Sequence, residues 1–160
     1  MTMDAAHFRQ IFGHFATGVT VIATAVDGWM HAMTANAILS LSLDPVLLLV
    51  CVDKTAHMHE QMPKAGKFGV SILTEDQEDL SRLFAQHVAP EQERLQGAAY
   101  FLGPNGTPVL EHCLAYLECN VIDRAEGGDH TIFIGQAVHG EMLREAPPLV
   151  FYRGGYRKLE

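Results

Sequence analysis

Two thirteen-residue runs of strand-forming composition, CLAYLECNVIDRA at 113–125 and TIFIGQAVHGEML at 131–143, are separated only by EGGDH. Gly127 and Gly128 can take backbone angles closed to other residues, so the chain turns there and brings Asp129 and His130 to a strand mouth. This pair commits the second half of the chain to sheet. His130 either finishes the turn or acts as a reagent.

The first half adds more strands. VTVIATAV is rich in β-branched residues, Asp27-Gly28 is a hairpin signal, and WMHAMTAN reads as the returning strand. ILSLSLDP reads as a polar loop before a buried strand at 46–53, and KFGVSIL is a further strand. Helices are few and short. Phe8, Ile11, Phe12 and Phe15 lie on one helical face between Asp4 and Thr17, with Gly18 placed to end it. TAHMHEQMPKAG follows the buried strand, with Thr55 as N-cap and Gly66 as stop. Thr74 and Gln77 have capping-box spacing before a helix that buries Leu80, Leu83 and Phe84.

Residues 87–110, with Pro90, Pro104 and Pro108, read as a long surface excursion. A short LVFY strand and the tail RGGYRKLE close the sequence. Six or seven strands with two or three short helices predict a mainly β fold with short helices, a small closed or partly closed barrel, because closure removes exposed edges. A doubly wound parallel sheet is disfavoured, since it needs a crossover helix between nearly every pair of strands.

Composition narrows the function classes. At 160 residues one domain spanning 1–160 is expected. A net charge of -8 argues against nucleic acid as a partner, because that binding draws its free energy from Lys and Arg at phosphates. The longest apolar run, VLLLVCV, is far short of the ~20 residues that cross a bilayer, so no membrane partner is expected. Three cysteines without CxxC spacing and a start without an apolar export segment point to a cytoplasmic location. GxGxxG, GxxxxGK[ST] and GxSxG are absent. Of nine histidines, His57 and His59 sit two apart in a predicted helix and point to different sides, which reads as solvated helix surface rather than a metal site.

What remains is a set of polar segments at strand ends. In CVDKTAHM a strand ends at Asp53, then Lys54 and Thr55 precede a helix whose free N–H groups favour an anion. That is a phosphate cradle, or else an ordinary capped helix beside an exposed lysine. TANA offers small side chains that let backbone lie against a flat heteroaromatic ring, or it is a buried strand end.

Taken in order, FGHFATGVTVIAT, HAMTANAILSLSLDPVLLLVCVDKTAHM, AGKFGVSIL, LSRLFA, LECNV, GGDHTIFIGQAV and PLVFYRGGYRKL resemble the short-chain flavin reductases, the small components of two-component flavin-dependent monooxygenases. The resemblance covers almost the whole chain. It implies a six- to seven-stranded split β-barrel that forms a homodimer, uses NADH or NADPH to reduce FMN or FAD, and passes reduced flavin by diffusion to a separate monooxygenase. It further implies that Thr34, Ala35, Asn36 and Ala37 hold the isoalloxazine, with Ser40 and Ser42 on the following loop. Cys51, Val52, Asp53, Lys54, Thr55, Ala56, His57 and Met58 would carry the ribityl and phosphate side. Phe84 and Ala85 would lie near the flavin, His130 at the nicotinamide with Asp129 orienting its ring, and Tyr152, Arg153, Gly154 and Gly155 over the nucleotide. Ala37 and Ala56 stand where many members have Ser, which leaves the choice between FMN and FAD open. The competing reading is a non-enzymatic split-barrel protein that binds flavin or haem in the same pocket.

Overall fold

The computed structural model describes residues 1–87 and 95–160. Its main body is a seven-stranded sheet built from β2 (Thr20–Val26), β3 (Trp29–Ala35), β4 (Ile38–Leu43), β5 (Val46–Asp53), β6 (Lys67–Ile72), β9 (Ala115–Gly127) and β10 (His130–Met142). The strand order is β3-β2-β6-β9-β10-β5-β4, with every neighbouring pair antiparallel. The two outermost strands, β3 and β4, are joined only by Asn36 and Ala37, so the sheet must curl until its edges meet at that corner. This is the partly closed barrel that the strand count predicts.

Alternation along the strands fills the interior. Leu48, Val50 and Val52 are buried in β5 while Leu47, Leu49 and Cys51 between them are half-buried on the other face, so a uniformly apolar run still obeys the two-residue period. Ile22, Phe68, Val70, Cys119 and Phe133 converge on the same cluster from four further strands. Helix α2 (His57–Ala65) closes one mouth by inserting Met58 and Met62. β10 passes the Phe68 ring so closely that a Cβ at Gly135 would lie 2.6 Å from it, and a register shift falls between Ile134 and Gly135. Cys51, Cys113 and Cys119 are free thiols, and burial pushes Cys119 up to about 12.

A second apolar cluster lies under α3 (Glu78–Phe84), where Phe84 meets Val19, Val21, Leu73 and Leu149, with Leu80 and Leu83 packed alongside. The Thr74–Gln77 box forms as expected, the Thr74 N–H donating to Gln77 Oε1 at 3.1 Å ahead of a 3-10 turn and α3. The chain ends in a small antiparallel sheet of β1 (Thr17–Gly18), β11 (Val150–Tyr152) and β12 (Gly155–Arg157).

Four expectations are corrected. ILSLSL is not a loop: it forms β4, pairing with β5 from Ile38↔Val50 to Leu43↔Val46. Its Leu39, Leu41 and Leu43 face outward and are exposed, so its pattern does not mark burial within one subunit. The first helix, α1 (Ala5–Phe12), ends at Gly13 rather than Gly18, and its Phe8, Ile11 and Phe12 remain exposed. Thr55 does not cap α2, because its hydroxyl donates to Asp53 Oδ1 at 2.7 Å and Ala56 takes the cap position. The excursion at 87–110 contains a hairpin of β7 (Tyr100–Leu102) and β8 (Pro108–Leu110), the latter wholly buried; Pro90 lies outside the described residues. Among the described residues no helix is long and apolar enough to cross a membrane.

Candidate functional site

A cleft of about 570 Å³ opens where the sheet edges meet, between the end of β3, the β5–α2 junction, the end of α3 and the C-terminal hairpin. Its floor is small. Ala35 and Ala37 from the β3–β4 corner, Ala56 ahead of α2 and Ala85 after α3 leave room for a flat group against backbone. Thr34 and Asn36 sit at the same corner. Thr34 donates to the Ser81 carbonyl oxygen (2.6 Å), and Asn36 Nδ2 donates to Thr17 Oγ1 (3.2 Å).

At the other side, Cys51, Asp53, Thr55, His57 and Met58 line the cleft, so the N-terminal, positive end of α2 faces it. The Asp53 carboxyl is held below its usual range, first by the Thr55 backbone N–H (2.8 Å) and then by the Thr55 hydroxyl (2.7 Å). His57 and His59 are half-buried rather than solvated. The His57 ring stacks on buried His31 with centroids 6.1 Å apart, and His59 Nε2 lies 2.8 Å from Thr131 Oγ1. Among the described residues no group of three or more His, Cys, Asp or Glu side chains is placed to hold a metal ion.

His130 enters from the far rim. The β9–β10 turn is Gly128-Asp129, with Gly128 at a φ of 71°, and His130 pairs across it with Gly127 and across the sheet with Asp53. Its Nδ1 lies 2.8 Å from Asp129 Oδ1. With Nδ1 donating to the carboxylate, the neutral ring keeps Nε2 as an acceptor.

Several expected residues stand elsewhere. Ser40 and Ser42 belong to β4 at the sheet edge, opposite Leu48 and Leu47, and do not line the cleft. Val52 alternates into the core and is fully buried. Lys54 turns away to contact the Glu126 carboxylate, so among the described residues no lysine or arginine lines the cleft, and the expected cradle keeps its helix terminus without its lysine. Asp129 touches the site only through His130. Tyr152 faces His14, ring centroids 6.2 Å apart, while Arg153 and Gly154 form the hairpin turn with φ of 50° and 74°, and Gly155 pairs with Tyr152.

The tail reaches the cleft through other residues. Phe151 and Tyr156, paired across that turn, both line it. Tyr156 is anchored by a hydroxyl contact of 2.6 Å to buried Ser81 and by the Arg82 guanidinium 4.7 Å over its ring. The residues that sequence reasoning missed are Val19, Ala32, Met33, Ser81, Gln86, His87, Phe151 and Tyr156. A two-residue turn at Arg153-Gly154 makes the last two face each other, and the packing of that hairpin on α3 brings them to the cleft.

The family model of the flavin reductase like domain matches residues 12–160. The NADH-dependent flavin reductase of a Rhodococcus species is 41% identical over 157 residues, covering 96% of this chain and 86% of that protein. The reductase component of the 4-nitrophenol 4-monooxygenase/4-nitrocatechol 2-monooxygenase of Rhodococcus opacus is 38% identical over 154 residues, covering 96% and 80%. A solved NADH:FAD oxidoreductase of Streptomyces globisporus C-1027, in complex with NAD and FAD fragments, superposes with a TM-score of 0.91 at 35% identity, covering 98% of this chain and 93% of that one.

Proposed function

The chain belongs to the flavin reductase like domain family, and we propose that it is an NADH-dependent reductase that reduces FMN or FAD and supplies the reduced flavin to a partner monooxygenase. The observation that carries this reading is the cleft itself, where a floor of small residues and a helix N-terminus lie opposite an imidazole oriented by a carboxylate. A flavin fits these groups: Ala35, Ala37 and Ala56 allow a ring to approach backbone, and the α2 N-terminus suits a phosphate. When both are bound, nicotinamide and flavin supply the chemistry, hydride transfer from C4 of one to N5 of the other.

This chain's own work is alignment. Thr34 and Asn36 fix the β3–β4 corner through their bonds to Ser81 and Thr17, so the floor does not shift as rings exchange. Phe151 and Tyr156 wall off one side from water. His130 Nε2, aimed by Asp129, accepts from a donor at the nicotinamide end and can hold a proton there. Purified protein should oxidise NADH in proportion to added FMN or FAD, with oxygen as acceptor when no monooxygenase is present. No flavin-dependent oxidation with FMN, FAD or riboflavin would remove the reductase reading in favour of a non-enzymatic flavin- or haem-binding protein.

The working unit is a single-domain polypeptide in a cytoplasmic homodimer. Support comes from apolar surface that one subunit leaves open: Leu43 on β4 is 83% exposed, beside Leu39, Leu41 and Val46, and Phe8, Ile11 and Phe12 are uncovered on α1. Sedimentation at micromolar concentration should give twice the chain mass. A fully active monomer there would refute the dimer.

A further inference from the structure

The geometry points to Lys54 and Glu126 as the pair that positions His130, an assignment that rests on the reductase reading above. From Ile122 to Asp129 the β9 end and the turn are exposed, so core packing does not hold this tip of the hairpin. Its tie to the barrel is the β10–β5 ladder, which stops at His130↔Asp53. Lys54 is the next residue, and it adds two links. Its backbone N–H donates to the Asp129 carbonyl oxygen at 3.0 Å, and its ammonium contacts Glu126, which pairs with Thr131 on the β9 arm just behind the turn. Lys54 therefore grips both the turn and the arm that feeds it, and Asp129, held this way, in turn holds the His130 ring.

The contact draws the Glu126 carboxyl below its usual range, first through the hydrogen bond from Lys54 and then through its charge. Without the ammonium, the end of β9 beyond its pairing with β6 keeps, among the described residues, its bonds to β10. The turn is then tied to the barrel by the His130↔Asp53 pair and the backbone bond from Lys54 to Asp129, and tip and imidazole can rock about these. Because Lys54 does not line the cleft, the loss is read at the nicotinamide and not at the flavin.

The test uses full-length Lys54→Met, Lys54→Arg, Glu126→Gln and the Lys54→Met/Glu126→Gln double variant. Exposed ion pairs contribute little to global stability, so all four should fold. Lys54→Met and Glu126→Gln should each raise KM for NADH about two- to fivefold, a modest loss in keeping with an exposed ion pair. Affinities for FMN and riboflavin, read by fluorescence quenching, should not change. Amide hydrogen exchange in the ligand-free protein should quicken at residues 127–131. The double variant should be no worse than either single one, and Lys54→Arg should restore KM and exchange.

The proposal is overturned if Lys54→Met weakens FMN relative to riboflavin while KM for NADH stays put, which would assign the lysine to the flavin phosphate. Additive effects, or unchanged exchange at the turn, overturn it as well. If the unmodified protein shows no flavin-dependent NADH oxidation, the reductase reading falls instead, and the exchange arm still decides whether the pair holds the turn.

Discussion

Glu118→Ala should destabilise the fold by about 3 to 5 kcal/mol, the order expected when two or three donors lose a buried acceptor at ~1 to 3 kcal/mol each. Glu118 lies in β9 and is fully buried, and its carboxyl oxygens accept hydrogen bonds from a neighbouring turn. The Asn105 N–H reaches both oxygens (3.0 and 3.1 Å), while the Thr107 N–H (3.2 Å) and hydroxyl (2.8 Å) meet Oε1. These donors belong to the Gly103–Thr107 turn between β7 and β8, so one side chain seats that hairpin on the barrel. Truncation would leave them without an acceptor in a dry interior, at ~1 to 3 kcal/mol for each that water does not reach.

The seat is tight. A Cβ at Gly103 would come 2.4 Å from the Glu118 carboxyl carbon, so Gly103→Ala should also destabilise, and in the Glu118→Ala background its added cost should largely vanish. For a chain of this length the single glutamate variant should melt about 6 to 20 °C lower. A denaturation midpoint within ~0.5 kcal/mol of the parent protein would show that the hairpin does not depend on the carboxyl.

Glu118 also shows where sequence reading stops. Two hairpins were legible from their turn residues: Asp27-Gly28, with φ of 51° and 79°, joins β2 to β3, and the turn expected at Gly127-Gly128 falls one residue later, at Gly128-Asp129, between β9 and β10. Those turns place the β3 end and His130, and the strand after Pro45 places Asp53 through Met58, while the meeting of these segments in one cleft was implied by the family resemblance and not by their spacing. A glutamate inside LECNV carries no local signal of burial, because its partners lie on a loop 11 to 13 residues away in sequence.

ILSLSL failed for a related reason. Its leucines face away from the subunit's own core, so alternation marks a surface that this chain does not itself cover. In the cleft, Ser81, His87 and Tyr156 come from the end of α3 and the returning tail. Their meeting depends on how α3 and the C-terminal hairpin pack, as in the Ser81–Tyr156 contact of 2.6 Å, and no spacing within either segment encodes that.

His130→Ala should lower kcat/KM for NADH roughly five- to thirtyfold, the loss expected from one hydrogen bond worth about 1 to 2 kcal/mol. Flavin affinity should hardly move, because the floor and the α2 terminus belong to other elements and His130 only reaches the rim. Asp129→Asn should shift the same parameter in the same direction by less. Its amide can still accept from Nδ1, but it no longer supplies a charge to fix which ring nitrogen carries the proton. A histidine that merely ends a turn would behave otherwise. Its replacement would lower the melting temperature through the lost contact of its ring with Asp129, yet single-turnover flavin reduction by the folded variant would run at the normal rate. The backbone bonds of the His130↔Gly127 and His130↔Asp53 pairs survive truncation at Cβ, so stability should hold while reduction slows. The opposite pattern would leave the imidazole a structural residue and require the alignment of nicotinamide to come from the Phe151–Tyr156 wall.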